Sequence, residues 1–445
     1  MVHEGIRASH SHRHTDRSQP QNYTPILPTT MTKRLLLVLT EFPPSFGGMQ
    51  THAIELSRWL HDRGYHVEVA TYRLEEGPAG IPAFPFEVHR VMSRVAYQAN
   101  VRKLAQLASA MRADLIYSST VYYGELTSET GLPILCRSAG NDVLRPWIAW
   151  PFRMGSRVLD LPWVERQVYR RWKHWNWPAQ LEGLMLKRRA AMMRSSARRM
   201  EWIFANSAFT QNLLKEAEVA GDRIEVLPGG VDVKFFADGR SSRTDLGMGE
   251  EYFYLLTACR LVEKKGLDTL VESVCLLRDR GLKLRLLIAG EGGSRSRIEE
   301  IVTRLRLSED VTMLGYVGRE DLRDYLHASD LFVLSSREVI DPRTGLRDAE
   351  TMGRVLCEAS ACGLPVVTTS SGGIPSVIQD GWNGLLAEPG SAEDLAAKIE
   401  IIWRDKELGA KLGRNGLGQA REHFDWAVLF AAHELAIEKM LSSRE

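Results

Sequence analysis

The sequence predicts an α/β protein made of two Rossmann-like, doubly wound domains that face each other across a cleft. Continuous apolar runs of four to six residues alternate with helical patterns, as expected for parallel strands that are covered on both faces. The alternation occurs twice, separated by a polar break at residues 238–251. The 445 residues are enough for two such cores, since length alone favours roughly two to three domains.

The first series begins with a buried strand at residues 35–39, a glycine-containing loop, a helix over 49–63 that ends at Gly64, and a strand at 67–71. This is a βαβ unit. Further strands are predicted at 115–117, 134–136, 202–205 and 224–228. We therefore place the first domain at residues 31–228, after a disordered leader at 1–30.

The second series contains strands at 254–258, 284–289, 311–314, 331–334 and 365–368, with helices at 267–280, 294–305, 320–328 and 355–361 between them. We assign residues 229–424 to this domain and residues 425–445 to a helix that crosses back to the first. Ligands of such sheets bind at the carboxyl ends of the strands, so the cleft is the expected site.

Composition narrows the class of protein. The net charge of +1 gives no overall bias towards nucleic acid, and 44% apolar with 25% charged residues is ordinary for a soluble globular chain. The five cysteines form no CxxC pair, which favours reduced thiols and a cytoplasmic location. No apolar run reaches the roughly 18–20 residues that span a membrane.

Two carboxylates, Glu350 and Glu358, stand eight residues apart around Gly353 and the start of an apolar helix. Free N–H groups of the first helical turn attract phosphate oxygens, so the carboxylates suit hydroxyl groups instead. Glu358 is predicted to bind a ribose and Glu350 a transferred sugar. The alternative is that both are solvated acidic residues near a helix start, where such residues are favoured anyway.

Arg260 and Lys265 follow the first strand of the second domain and offer two cations for a diphosphate. Gly47 and Gly48 follow the first strand of the first domain, where glycines allow backbone N–H groups to approach a phosphate. Surface charges and a tight turn are the alternatives. No spacing of acidic, histidine or cysteine residues predicts a metal site.

Taken in order, six motifs resemble those of the GT-B retaining glycosyltransferases of family 4, and the resemblance covers about residues 33–426. They are Phe-Pro-Pro-x-x-Gly-Gly at 42–48, Ala-Asn-Ser-Ala-Phe-Thr at 205–210, Leu-Pro-Gly-Gly-Val-Asp at 227–232, the segment 260–266, Ile-Ala-Gly-Glu-Gly at 288–292, and the carboxylate pair. The resemblance implies a GT-B fold with the nucleotide sugar on the second domain and the acceptor on the first.

The same resemblance implies roles for single residues. Arg260, Lys265 and Glu350 would be catalytic, and Asn141 and Asp142 would lie on the acceptor side. The residues implied to bind the donor are Gly47, Gly48, Val317, Gly353, Arg354, Val355, Leu356 and Glu358. The implied reaction retains the anomeric configuration and needs neither a metal nor a cofactor. The implied acceptor is a glycan or a lipid-linked molecule of cell-surface polysaccharide or glycolipid synthesis.

Three positions depart from the family pattern. Ala139 stands where the family often has a histidine, and Thr351 and Met352 replace the usual Gly-Phe between the two carboxylates. An insertion at residues 339–349 precedes Glu350 and is similar to members that build cell-surface polysaccharides. These differences fall on the half of the motif that contacts the sugar, so the donor sugar is not predicted.

Residues 145–199 contain thirteen Lys or Arg against three Asp or Glu, with six interleaved tryptophans at 147, 150, 163, 172, 175 and 177. Helices that carry tryptophan and arginine together can lie on an anionic membrane surface. The main alternative is a helical insertion at about 145–200 that packs its tryptophans on the first domain; nucleic acid binding is a weaker one.

The functional prediction is therefore a glycosyltransferase that uses a UDP- or GDP-linked sugar, located in the cytoplasm or peripherally on the inner face of the membrane. A nucleotide-sugar epimerase of the same fold would need general acid and base side chains at the sugar. A non-catalytic sugar-nucleotide-binding protein is expected to have lost Arg260, Lys265 or Glu358, and all three are present.

Overall fold

A computed structural model describes residues 32–44, 48–74, 83–147, 150–174, 179–239 and 241–444, with the side chains of 172–179 excluded. Residues 33–445 form one compact unit. The predicted leader, Gly47, and the side chains of the tryptophans at 172, 175 and 177 lie outside the described part of the chain.

The first domain contains a seven-stranded parallel sheet in the order β3-β2-β1-β4-β5-β6-β7. Its strands are β1 (Arg34–Val38), β2 (His66–Tyr72), β3 (Glu87–Met92), β4 (Leu115–Ser118), β5 (Ile134–Ser138), β6 (Trp202–Ala205) and β7 (Ile224–Val226). Its helices are α1 (Gly48–Asp62), α2 (Tyr97–Ala110), α3 (Glu125–Thr130), α4 (Asn141–Leu144), α5 (Ser156–Leu159), α6 (Pro162–His174), α7 (Ala179–Ala197) and α8 (Ala208–Glu216). The leucines of β1 are fully buried, which explains why that strand is apolar on both faces.

The second domain contains a six-stranded parallel sheet in the order β10-β9-β8-β11-β14-β15, with a short antiparallel hairpin, β12-β13, beside it. The strands are β8 (Phe253–Ala258), β9 (Leu284–Ala289), β10 (Val311–Gly315), β11 (Leu331–Leu334), β12 (Val339–Ile340), β13 (Arg347–Asp348), β14 (Val366–Thr369) and β15 (Leu385–Ala387). The helices are α9 (Val233–Ala237), α10 (Leu267–Asp279), α11 (Arg295–Arg304), α12 (Arg319–Ala328), α13 (Arg354–Ala361), α14 (Ala392–Arg404) and α15 (Lys406–Gln419).

The chain crosses between the domains twice, and the two crossings lie side by side. The Val231 amide donates to the Phe424 carbonyl at 2.8 Å, and the Trp426 amide donates to the Val231 carbonyl at 3.1 Å. After the second crossing, helix α16 (Trp426–Ser442) packs its apolar residues into the core around β1 and α1 of the first domain. The two sheets are therefore joined by a paired connection.

The predicted fold class, two Rossmann-like domains, is confirmed. Among the elements that the sequence did not predict are β3, β15, the β12-β13 hairpin and helices α2, α8, α14 and α15. Strand β3 is an edge strand whose residues are mostly half-exposed, so it lacks the buried apolar run that identified the others. No helix in the described residues is long and apolar enough to cross a membrane.

Candidate active site

The carboxyl ends of β8 and β11 bring Lys265 next to Glu350, and the two side chains form an ion pair. Lys265 lies in a short turn that ends at Gly266, which has a φ of +59° and begins α10. A Cβ at this glycine would lie 2.1 Å from the Ser335 carbonyl oxygen. Glycine is therefore required here, and its missing side chain allows the segment that carries Lys265 to pack closely against the end of β11.

The pair is almost removed from solvent, with side-chain exposures of 11% for Lys265 and 13% for Glu350. Burial alone would raise the pKa of Glu350, but the Lys265 charge and hydrogen bond, with Lys264 and Arg260 nearby, hold that pKa below its usual value. Burial alone would lower the pKa of Lys265, and Glu350 reverses that effect and raises it. Both groups are charged at neutral pH.

Arg260 is exposed at the end of β8, at the mouth of the cleft. Its charge acts to lower the pKa of Glu350, in the second domain, and that of Glu41, in the first domain. Burial raises the pKa of Glu41, and the charges of Arg94 and Arg260 oppose that rise. Arg260 is thus within electrostatic range of carboxylates on both sides of the cleft.

The N-terminus of α13 lies beside this pair. Gly353 precedes the helix with a φ of +83°, and a Cβ there would lie 2.9 Å from Leu356. The Leu356 amide donates to the Gly353 carbonyl at 2.9 Å, so it already has a partner within the first turn. Its part in donor binding stays a prediction. Arg354 and Val355, in the first turn, are the positions whose amides have no partner one turn earlier in the helix.

Arg354 connects the two domains, which the sequence reading did not anticipate. Its Nη1 donates to the Gly48 carbonyl at 2.7 Å, and its Nη2 pairs with Glu358, four residues further along α13, at 3.1 Å. A Cβ at Gly48 would lie 2.8 Å from the Arg354 guanidinium carbon. The glycine loop therefore approaches the arginine closely, and Glu358, which is 8% exposed, faces the same space.

The predicted acceptor-side residues differ in their surroundings. Asp142 is buried, and its carboxylate accepts from the Ser138 hydroxyl at 2.7 Å and from the Val121 amide at 3.0 Å. Asn141 is exposed at the start of α4. The carboxylate of Asp142 therefore holds the end of β5 in place, and Asn141 is the accessible member of the pair. The acceptor-side assignment of both residues stays a prediction.

The residues that depart from the family pattern have different contacts, and Thr351 is the one whose side-chain contact joins the two domains. The Asn206 side-chain amide donates to the Ala139 carbonyl at 3.0 Å and lies 3.4 Å from the Thr351 hydroxyl. The Met352 sulfur accepts from the Gly229 amide at 2.9 Å. Position 139 therefore contributes its backbone to a contact within the first domain, and Asn206 extends that contact to Thr351 of the second domain. Thr351 and Met352 are both buried.

The predicted base-binding segment follows β10. Val317 is half-buried against the second-domain core, whereas the neighbouring Tyr316 is 78% exposed. The structure thus brings Arg260, Lys265, Glu350, Glu358 and the start of α13 to one cleft.

Family models match the chain in two consecutive segments. The model described as Glycosyltransferase Family 4 matches residues 46–235, and the model described as Glycosyl transferases group 1 matches residues 239–419. Together they span both domains and the cleft between them. The chain belongs to the family 4, group 1 glycosyltransferases. It is therefore an enzyme that transfers a sugar from a nucleotide sugar.

Relatives of this glycosyltransferase carry specific names. The chain is 23% identical to a GDP-mannose-dependent monoacylated alpha-(1-6)-phosphatidylinositol monomannoside mannosyltransferase of Corynebacterium glutamicum, over 89% of this chain and 96% of that protein. It is 34% identical to a D-inositol 3-phosphate glycosyltransferase of Pseudarthrobacter chlorophenolicus, over 43% of this chain. The second match spans about half the length of that relative, 45%.

Solved structures confirm the GT-B architecture of the glycosyltransferase. Sucrose-phosphate synthase from Thermosynechococcus elongatus superposes with a TM-score of 0.72 at 19% identity, covering 92% of this chain and 100% of that one. Anabaena HepE in complex with UDP superposes with a TM-score of 0.67 at 21% identity and the same coverage. At these identities the likeness concerns the fold.

Proposed function

We propose that the protein is a retaining hexosyltransferase that acts without a metal and moves a sugar from a nucleoside diphosphate sugar to a lipid-linked or glycan acceptor. The observation that carries the proposal is the buried Lys265–Glu350 ion pair beside the N-terminus of α13. A diphosphate at this position would meet a cation and a helix N-terminus, and a sugar would meet the carboxylate.

Each part of the nucleotide sugar has its own contacts in this proposal. Arg260 and Lys265 bind the diphosphate, and the first-turn amides of α13 bind phosphate or sugar oxygens. Glu350 accepts from sugar hydroxyls, and Glu358 accepts from the ribose at about 1.5–3 kcal/mol for each charge-assisted hydrogen bond. Arg354 is a further donor-site residue, because it lies between Gly48 and Glu358 and can turn its guanidinium towards a phosphate.

The chemistry requires charge stabilisation more than a side-chain nucleophile. As the bond between the sugar and the diphosphate breaks, negative charge grows on the leaving phosphate, where Arg260 and Lys265 supply positive charge. The acceptor hydroxyl enters on the face from which the leaving group departs and gives its proton to that phosphate. Positioning and preorganised charge supply the rate enhancement in such a site.

Metal independence is supported by the chemistry of the donor site. The side chains assigned to the diphosphate, Arg260 and Lys265, are cations, and Glu350 is already paired with Lys265. Among the described residues, the group that could hold a metal ion is Glu68, Glu87 and His89, at the start of β3 and within β2. Active sites of parallel sheets lie at the opposite ends of the strands.

For the donor, GDP-mannose is the first candidate, because the relative that matches over most of its length is named as GDP-mannose-dependent. That relative's name also contains a phosphatidylinositol mannoside, which supports a lipid-linked acceptor. UDP-sugars are the second candidate. The discriminating groups are those of the base-binding segment around Val317.

The insertion supports a location at the membrane. Its helices α5 and α6 and the loop before them expose Met154 at 83%, Val158 at 60% and Trp163 at 65%. Exposed arginines at 153, 157, 166, 170 and 171 are interleaved with these side chains along the chain. Exposed apolar side chains among exposed arginines match an anionic bilayer surface, so we propose peripheral binding through this segment.

The test is a donor screen with the full chain and a lipid extract, using radiolabelled GDP-mannose, UDP-glucose and UDP-galactose, with chelator present throughout. We expect transfer from one donor, undiminished by the chelator, and an α-linked product by NMR. Absence of both transfer and donor hydrolysis with every nucleotide sugar would reject the proposed function; loss of transfer with chelator would reject metal independence alone.

A further inference from the structure

The hairpin insertion, residues 339–349, reaches from the second domain to the first through two ion pairs. Arg343 Nη2 lies 2.9 Å from the carboxylate of Glu182 in α7. Asp348 Oδ2 lies 2.6 Å from Arg145 Nη1, directly after α4. The two segments that depart most from the family pattern, the hairpin and the basic insertion, therefore contact each other across the cleft.

The tip of the hairpin is held in one conformation. Asp341 Oδ1 accepts from the amides of Arg343 and Thr344 at 2.9 and 3.1 Å, and Gly345 turns the chain back with a φ of +67°. The pairing of Val339 with Asp348 closes the hairpin. An ion pair from a fixed turn loses less conformational entropy than one from a mobile loop, so the contact with Glu182 is preorganised.

Asp348 also contacts the donor site. Its Oδ1 accepts from Lys264 at 2.9 Å, and Lys264 donates to the Ala349 carbonyl at 3.0 Å. The next residue of each segment, Lys265 and Glu350, forms the ion pair of the active site. Two lysine–carboxylate pairs thus lie side by side. The outer pair, Lys264–Asp348, also contacts Arg145 of the first domain, and the inner pair, Lys265–Glu350, faces the proposed donor position.

Because Lys264 is buried, its ion pair with Asp348 matters for stability. Its side chain is 7% exposed, so its charge needs a partner, and Asp348 is the carboxylate that supplies one. Arg145, 42% exposed, binds the other oxygen of the same carboxylate. Movement of the first domain therefore acts on Asp348, and through the Lys264 segment on the position of Lys265.

We propose that Asp348 is a positioning residue for the Lys265–Glu350 pair and that the hairpin is a clasp that keeps the two domains closed over the donor. This inference rests on the proposed function, because it assigns the clasp to the same donor site. Contact with the insertion also places the clasp next to the segment proposed to bind the membrane.

The first test compares Asp348→Asn and Arg145→Gln with a control on the same hairpin, Ile340→Ala, whose side chain is 61% exposed. We expect Asp348→Asn to lower kcat about tenfold, since Lys264 loses its countercharge. Arg145→Gln should raise the donor KM about three- to fivefold, as expected for one exposed ion pair. The control should match wild type. Equal effects of all three variants, or none, would overturn the proposal.

The second test reverses the ion pair between Arg343 and Glu182. Glu182→Arg and Arg343→Glu should each raise the donor KM, and the double variant should restore it, because the pair is re-formed with opposite polarity. The wild-type KM should rise with salt more steeply than that of either single variant. Failure of the double variant to recover would contradict a direct contact.

A readout independent of catalysis separates this inference from the proposed function. Small-angle scattering of the ligand-free chain should give a larger radius of gyration for the single variants Glu182→Arg and Arg343→Glu than for wild type and the double variant. Unchanged scattering with unchanged kinetics would reject the clasp while transfer by wild type stands. An inactive wild type with the expected scattering would reject the proposed function and keep the clasp.

Discussion

Replacing Lys265 by methionine tests the centre of the proposed donor site. The substitution keeps most of the side-chain volume and removes the charge. In the structure the ammonium group pairs with Glu350, and each side chain is almost buried, at 11% and 13% exposure. The change therefore leaves a carboxylate without its nearest countercharge in a site of low solvent access.

The stability effect follows from the charges that remain. Removing one partner of a buried ion pair costs about 3–5 kcal/mol. Glu350 keeps Lys264 and Arg260 within electrostatic range, so we expect the lower end, about 3 kcal/mol, in the free energy of unfolding. The difference in stability between wild type and Lys265→Met should shrink as the pH falls below the pKa that Glu350 has in the unfolded chain. A carboxylate whose pKa is depressed by folding contributes its full stability above that pH and loses it as the pH falls through its folded pKa.

The catalytic effect should be similar in size to the stability effect, at about 2.7–4 kcal/mol of transition-state stabilisation. Loss of one preorganised group that stabilises charge in the transition state costs about 10²–10³ in kcat. A double variant, Lys265→Met with Glu350→Gln, removes both charges and should recover much of the stability, since no unpaired carboxylate remains. Its activity should stay low. Lys411→Met, on the exposed side of α15, is the matched control and should behave as wild type.

The assay is the initial rate of product formation at saturating donor, with urea unfolding of the same preparations. The reasoning is refuted if Lys265→Met retains a kcat within about threefold of wild type, because a charge at the leaving phosphate would then contribute under 1 kcal/mol. It is also refuted if the double variant regains activity along with stability. In that case the lysine would serve only the fold.

Three further predictions concern other parts of the molecule. Glu358→Gln should raise the donor KM about tenfold or more, measured by donor saturation, through loss of a charge-assisted bond to the ribose; an unchanged KM would remove Glu358 from the site. Burial and the charge of Arg137 lower the pKa of His433 to about 3. As the pH falls below about 6.5, this histidine takes up a proton in the unfolded chain but stays neutral in the folded one, so the free energy of unfolding decreases. His433→Phe should flatten that drop in urea titrations, and an unaltered pH profile would contradict this. Trp163→Ser should weaken sedimentation with anionic vesicles at low salt, whereas equal binding would exclude that segment.

The strands that carry the site were predictable from the sequence because they are short, apolar and buried on both faces. Lys265 and Glu350 could be assigned to one cleft because parallel strands end at the same edge of a sheet. Gly353 could be placed for a different reason, because a glycine directly before an apolar helical pattern marks the start of the helix. Their proposed roles in catalysis and binding remain predictions.

Other features depend on contacts between distant segments and could not be read from spacing. The bond from Arg354 to the Gly48 carbonyl joins residues 306 apart, and the pair of Arg145 with Asp348 joins residues 203 apart. Neither has a local signal. The hydrogen bonds of Asp142 also have no signal in its motif, and only the structure shows its carboxylate turned towards Ser138 and Val121.

Helix α16 has a consequence for how the chain is made. Its residues Leu429, Phe430 and Ile437 complete the apolar core that begins with Leu35, and Lys33 pairs with Glu438 across 405 residues. The core of the first domain therefore stays incomplete during synthesis until this helix has been made. A nonsense mutation just before residue 426 would remove these contacts and destabilise the domain at the opposite end of the sequence.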